Sequence, residues 1–489
     1  VVPEAGRWQI RWWRNAPEAQ RRTVRFVAVS AVAGLVVATG AVLAAGPWDS
    51  GQRKAERARA AAAPRAGGEH HAGHVISAAP PVLAPLGGAG AAGGQEPTRD
   101  GLAATLEPLL TASALGPERS ASVFDAATGQ KLYGSGSDTA YTPASTIKLA
   151  TATAALAALG PEHRIETAVV REGEGIVLVG GGDPTLTVQS QKGDGPRFAS
   201  LAELADATVR ALKGRGVSHT TLGYDASRYS GPAMHPIGPN ENLAPVSALM
   251  VDEGRMDDSD HGPAERTAEP AADAARKFAA MLRERGVAVD GDPAEARAGA
   301  GAQRVASVAS APLSALVERA LTNSDNDIAE ALARQTALAS GASADFEGAA
   351  KAATAGLTKL GLPMAGVHLA DGSGLDRTDQ ASADFLAELL ARAADPRRPE
   401  LRPVLTGLPV AGFTGTLKER YSGDDGAARG VVRAKTGTLT GVNTLAGTVV
   451  DASGRLLTFA FMTSGTTDPD GAQRALDRLA TGVAGCGCH

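Results

Sequence analysis

Thr142-Pro-Ala-Ser-Thr-Ile-Lys148, running on through Leu149-Ala-Thr-Ala-Thr-Ala-Ala-Leu-Ala-Ala-Leu159 to Gly160-Pro161, is the stretch from which the rest of the chain can be read. Thr142 suits a helix N-cap and Pro143 the first helical position, and Gly160-Pro161 is a stop, so the pattern predicts a helix over 143–159. Ser145 and Lys148, at i and i+3, then bring a hydroxyl and an amine to one face of it. A hydroxyl is a poor nucleophile until its proton is removed. A lysine removes it only when neutral, which requires its pKa to fall from ~10.4 toward the working pH. A fall of about three units corresponds to roughly 4 kcal/mol of disfavoured charge. Burial, a helix N-terminus and a second cation all act in that direction.

Two later motifs complete the set. Ser324-Asp-Asn326 falls between helical stretches predicted at 313–322 and 327–337, and Lys435-Thr436-Gly437-Thr438 ends a strand predicted at 430–438. Lys435 is the second cation. Together with the hydroxyls of Thr436 and Thr438, either side of Gly437, it makes a patch suited to a terminal carboxylate. Asn326 can hold a substrate amide, and Ser324 can pass a proton to a leaving amine. The N–H groups of Ser145 and Thr438 are natural oxyanion donors. None of the nine histidines lies in these motifs, which makes a Ser-His-Asp triad the weaker explanation. Each motif alone is common; their order and their placement at a helix start, between two helices and at a strand end carry the weight.

Outward from these motifs, alternating residues predict strands at 120–125 and 131–133, then at 443–451 and 456–464, with a closing helix over 470–482. Two early strands, three late ones and a terminal helix imply an α+β domain, an antiparallel sheet covered by helices. Between the first two motifs, 165–308 reads differently, with short strands at Gly175–Val179 and 220–225 and amphipathic helices at Leu201–Lys213 and 271–285. Arg210-Ala-Leu-Lys-Gly-Arg-Gly-Val217 and Ala280-Met-Leu-Arg-Glu-Arg-Gly-Val287 both read as a Gly-capped helix end leading into a strand.

The N-terminal part has another character. The 21 residues Phe26 to Gly46 carry no charge, and as a helix they would span roughly 31 Å, about the thickness of a bilayer core. Arg11, Arg14, Arg21, Arg22 and Arg25 lie before them and no Lys or Arg follows until Arg53, which places the N-terminus in the cytoplasm and the rest outside. A cleaved signal sequence ending near Ala44-Ala45 is the alternative; either way the catalytic part is exported. Residues 47–99 read as a flexible Ala/Gly/Pro/Arg spacer, in which His70, His71 and His74 are solvated rather than metal-binding. The two cysteines, Cys486 and Cys488, sit beside His489 in what reads as a plain tail, with no disulfide framework and no metal site. A net charge of −5 leaves no basic surplus for nucleic acid.

The ordered trio resembles the penicillin-recognising serine enzymes. Gly180-Gly-Gly-Asp-Pro-Thr-Leu186, Asp225-Ala-Ser-Arg-Tyr229, Asp371-Gly-Ser-Gly-Leu375, Leu408-Pro-Val-Ala-Gly412 and Gly415-Thr-Leu417 resemble one branch of them. That branch is the class C low-molecular-mass penicillin-binding proteins, exported D-alanyl-D-alanine carboxypeptidase/endopeptidases, and the likeness runs from about Leu102 to Ala484. The 179 positions from Ser145 to Ser324 far exceed the spacing in β-lactamases and match the inserted domain the resemblance implies. It implies a β-lactamase/transpeptidase-like domain over 100–164 and 309–485, with an all-α part beside the sheet and an inserted α/β domain over 165–308. Ahead of it lie a basic segment (1–25), a single transmembrane anchor (26–46) and a linker (47–99). It further implies peptidoglycan stem peptides as substrates, β-lactams as covalent inhibitors, no cofactor, and Asp225 as the acidic group that reads the free amine of the stem peptide's diaminopimelate. A β-lactamase and a catalytically silent wall-binding protein are the alternatives.

Overall fold

The computed structural model describes residues 96–190 and 197–488. The expected basic segment, transmembrane anchor, nearly all of the linker with His70, His71 and His74, and His489 lie outside the described residues. Among those described, no helix is long and apolar enough to cross a membrane.

Helix α1 (Arg99–Leu110) leads into strands β1 (Glu118–Asp125), β2 (Lys131–Ser135) and the short β3 (Ala140–Tyr141), then α2 (Lys148–Leu159). The inserted region follows as β4 (Glu166–Glu172), β5 (Gly175–Val179), α3 (Leu201–Lys213), β6 (His219–Asp225), α4 (Pro270–Glu284), β7 (Ala288–Glu295) and β8 (Gln303–Ala309). The chain then returns through α5 (Leu313–Asn323), α6 (Asn326–Ala339), α7 (Phe346–Lys359), β9 (Ala381–Ser382) and α8 (Ala383–Ala394). It closes with β10 (Arg433–Leu439), β11 (Val442–Val450), β12 (Leu456–Ser464) and α9 (Pro469–Ala484).

The main sheet is antiparallel, in the order β10-β11-β12-β1-β2, so chain ends far apart in sequence meet at the β12–β1 pair. Alternation along its strands separates two cores. Leu445, Val449, Phe459 and Phe461 face α1 and α9, where they pack on Leu102, Leu106, Leu476 and Leu479. Ala446, Ala460 and Met462 face the helical part, where α2, α5, α6 and α8 share a core built on Ile147, Leu149, Leu316, Leu332 and Phe385. The small alanines on this face let α8 approach closely; Thr458 donates to the carbonyl of Ala387 at 2.8 Å.

The inserted strands form a second sheet, β7-β6-β5-β4-β8, parallel at β5–β6–β7 and antiparallel at β4–β5 and β4–β8. The two similar octapeptides sit at equivalent places in it. Val217 N–H bonds Leu212 O and Val287 N–H bonds Leu282 O, both at 3.0 Å, with Gly216 and Gly286 at φ +75° and +82°. Each is a helix end of the Schellman kind delivering the chain into neighbouring parallel strands.

Two expectations are corrected. The tail is not free: Cys486 is buried in the core under α1 and α9, it is disulfide-bonded to Cys488, and Thr98 N–H donates to Cys488 O at 2.8 Å. The helix of the first motif does not begin as an α-helix at Pro143. Residues Ala144–Ile147 form a 3₁₀ turn and α2 starts at Lys148, while Thr142 donates its hydroxyl to Arg377 O instead of capping. The reason is that the Pro143 carbonyl is held by hydroxyls, Thr146 Oγ1 at 2.6 Å and Thr444 Oγ1 of β11 at 2.8 Å, which tie the turn to the sheet.

Candidate active site

The 3₁₀ turn is what aligns the first pair. In this tighter helix side chains at i and i+3 eclipse, and Lys148 Nζ lies 2.9 Å from Ser145 Oγ. Edge strand β10 lies directly on the turn. A Cβ at Gly437 would run into the Thr444 hydroxyl and lie 2.7 Å from Pro143 O and 3.1 Å from Thr146 N, so this position of the third motif admits only glycine at the observed approach. The second motif arrives at the junction of α5 and α6. Ser324 there takes a left-handed conformation (φ 59°, ψ 39°) and Asp325 caps α6 through Ile328 N–H. That bend turns both Ser324 and Asn326 toward the first motif.

Lys148 is 1% exposed and has three partners. Besides Ser145 Oγ it meets Asn326 Oδ1 at 2.7 Å and the Ser373 carbonyl at 2.5 Å. Lys435, fully buried, donates to Ser324 Oγ at 2.8 Å and to Thr436 O at 2.7 Å, and the Thr436 hydroxyl donates to Thr416 Oγ1 at 2.8 Å. Burial pulls the Lys148 amine down to about 8, against the opposing pull of Asp371, Glu330, Asp325 and Asp379. Lys435 is pushed well below the ordinary lysine range by burial and by the charge of Lys148. The electrostatics thus hold a base near neutral pH beside a hydroxyl.

The turn that presents the Ser373 carbonyl is organised by one carboxylate. Asp371 accepts N–H bonds from Ser373, Gly374, Leu375 and Asp376 at 2.5–3.0 Å and a bond from His235 Nε2 at 2.9 Å. Burial would raise it, yet the His235 bond and the backbone N–H groups hold it at about 2. Burial and the Asp371 charge push Glu330 up to about 7 and Asp379 up to about 10. Glu330 accepts the Gly372 N–H at 3.0 Å.

Ser145, Ser324, Asn326, Thr436 and Thr438 line one cleft of about 750 Å³, with Lys148 and Lys435 buried behind them. Thr416, Asn242, Arg255 and Arg266 line it too. The three motifs therefore converge. Asp225 is not among the lining residues: at the end of β6, paired with Val179, its carboxylate accepts the N–H groups of Ser227 and Ala298, both at 2.8 Å. Burial would raise it, but those bonds hold it below the usual carboxylate range, as befits a turn-closing aspartate. Sequence reasoning quoted Asp371-Gly-Ser-Gly-Leu375 and Gly415-Thr-Leu417 without giving Ser373 or Thr416 a role, and it passed over His235 and Asn242.

A family model described as the D-Ala-D-Ala carboxypeptidase 3 (S13) family matches residues 102–265 and 258–483. A carboxypeptidase of Mycobacterium tuberculosis is 38% identical over 439 residues, covering 86% of this chain and 92% of its own length. A D-alanyl-D-alanine carboxypeptidase of an Actinomadura species is 30% identical over 432 residues, 71% of this chain and 78% of that protein. Among solved structures, penicillin-binding protein 4 of Haemophilus influenzae has a TM-score of 0.63 at 21% identity, covering 76% of this chain and 97% of that one; the likeness is one of fold.

Proposed function

The chain belongs to the D-Ala-D-Ala carboxypeptidase 3 (S13) family, and on that premise we propose how this serine-type D-Ala-D-Ala carboxypeptidase performs its reaction on peptidoglycan stem peptides. Ser145 Oγ attacks the carbonyl of the penultimate D-Ala and its proton passes to Lys148. The observation that carries this is the set of partners around Lys148 Nζ. A neutral amine has two N–H bonds and one lone pair. The Ser373 carbonyl and the Asn326 amide oxygen can only accept, so they take the two N–H bonds, and the lone pair is left facing Ser145 Oγ. The base is held in its productive state by its neighbours' chemistry.

The developing oxyanion is met by the N–H groups of Ser145 and Thr438. Collapse breaks the C–N bond, and the departing amine of the terminal D-Ala takes a proton from Ser324 Oγ, which Lys435 orients. The proton that Lys148 took from Ser145 replaces it on Ser324, so that Lys148 is neutral again. Water then attacks the acyl-enzyme with Lys148 again as base, releasing the shortened peptide and restoring Ser145. Thr436, Thr438 and Thr416 hold the terminal carboxylate. The substrate backbone lies along the outer edge of β10, the last strand of the sheet. β-Lactams acylate the same serine. The membrane and extracytoplasmic placement rests on Phe26–Gly46, and removal of 1–46 is expected to give a soluble enzyme of full activity; an insoluble or inactive product opposes it.

The reading is tested by D-Ala release from a peptide ending in D-Ala-D-Ala, measured as kcat/KM across pH. Because the amine must be neutral and its pKa is about 8, kcat/KM should rise about tenfold per pH unit below that value and level off above it. A profile flat from about pH 6 to 9 contradicts a lysine base with that pKa.

A further inference from the structure

We infer that the loop over 235–242, part of the inserted region, is a positioning element for Lys148: it orients both acceptors that engage the amine's N–H bonds, through His235 on one side and the carbonyl of Asn242 on the other. The inference rests on Lys148 being the base. The nearer arm is direct. Asn326 Nδ2 donates to Asn242 O at 2.9 Å, and since a carbonyl only accepts, this contact turns the amide so that Oδ1 faces Lys148. Asn242 is itself held by Asn240 Oδ1 at its own N–H (2.8 Å), and Ala244 N–H is anchored on Asp327 Oδ1 at 3.0 Å.

The other arm acts through Asp371. Ile237 N–H donates to His235 Nδ1 at 3.2 Å, so Nδ1 accepts and the ring proton sits on Nε2, aimed at Asp371 Oδ2. Burial lowers the imidazole's pKa but the Asp371 bond and charge outweigh it, and the backbone contact is what holds Nδ1 unprotonated. That carboxylate gathers the N–H groups of the turn whose Ser373 carbonyl receives Lys148. His235 is 2% exposed and its ring meets Phe346 of α7 edge-on at 5.2 Å, so its direction is fixed by packing as well. The ionisable groups facing this assembly are Asp371, Asp376 and Asp379 of the turn, Glu330 and Asp325 from α6 and its cap, and Lys435 of β10. With the His235 donor gone, the Asp371 charge is less offset, which favours the charged amine, while the loosened Ser373 carbonyl no longer fixes the amine's lone pair on Ser145 and slows acylation. The midpoint of the acylation profile then moves to higher pH.

The experiment is the rate of Ser145 acylation by benzylpenicillin across pH, expressed per penicillin-titratable site, for the wild type, H235Q, H235N and H235L. Glutamine places an amide N–H where Nε2 stood; asparagine and leucine do not, and two variants without a donor at that place keep the comparison alive if one fails to fold. H235N or H235L should acylate about ten- to a hundredfold more slowly, with the midpoint raised by about half a pH unit or more, while H235Q stays within about threefold of wild type at the wild-type midpoint. H235N or H235L with an unmoved midpoint, or H235Q as impaired as H235N, overturns the inference. A wild type with no titration near 8 would instead remove the lysine-base reading beneath it.

Discussion

Lys148→Met is expected to slow Ser145 acylation by about 10³-fold or more, the upper part of the range for losing a positioned general base. Methionine has nearly the length of lysine and no charge to desolvate, so the buried slot that holds the amine stays filled. The Asn326 amide oxygen and the Ser373 carbonyl lose a donor, at about 1–3 kcal/mol each, partly offset because a buried amine no longer needs stabilising. The variant should therefore fold, with far-ultraviolet circular dichroism unchanged and a modest fall in Tm. Benzylpenicillin labelling within about tenfold of wild type would mean that another group takes the Ser145 proton.

Gly437→Ala should also be damaging, though by about tenfold less, and for a steric reason. The added methyl would collide with the Thr444 hydroxyl and crowd Pro143 O at 2.7 Å, and neither can retreat easily, since Thr444 Oγ1 is itself bonded to that carbonyl. Overpacking of this kind costs about 1–3 kcal/mol. The larger effect falls on catalysis, because relieving the clash pushes β10 away from the Ser145 turn and separates Thr438 from its oxyanion partner. A loss of about a hundredfold in kcat/KM follows from a displacement near 1 Å. Steady-state kinetics on the folded variant check it; near-normal kcat/KM would show that β10 does not need this close approach.

The side chains that converge on the cleft were legible in the sequence because each has a fixed place in a local element. Ser145 and Lys148 share one helical turn, Ser324 and Asn326 flank a helix cap, and Lys435 to Thr438 occupy one strand. Strands β5 and β12 and helix α3 were legible to the residue, since alternation and amphipathic spacing are local signals. What was hidden depends on distant partners. The 3₁₀ start at Ala144 arises because Thr444, some 300 residues away, claims the Pro143 carbonyl. The Ser373 contact is made by a backbone oxygen, which no side-chain pattern announces. His235 and Asn242 act across the boundary between the inserted region and the catalytic one, and no local rule assigns a histidine in a loop to a lysine's surroundings. Asp225 lies apart from the residues lining the cleft: an aspartate ending a strand is equally a turn-closer, and here the N–H groups of Ser227 and Ala298 engage it.

Incubation of the protein with benzylpenicillin, followed by intact mass and peptide mapping, is the most direct test that three distant motifs make one acylating site. The account requires one penicilloyl group per chain, carried on the peptide that contains Ser145, and none on Ser145→Ala. A stoichiometric adduct on any other residue, or labelling that survives in Ser145→Ala, would contradict it.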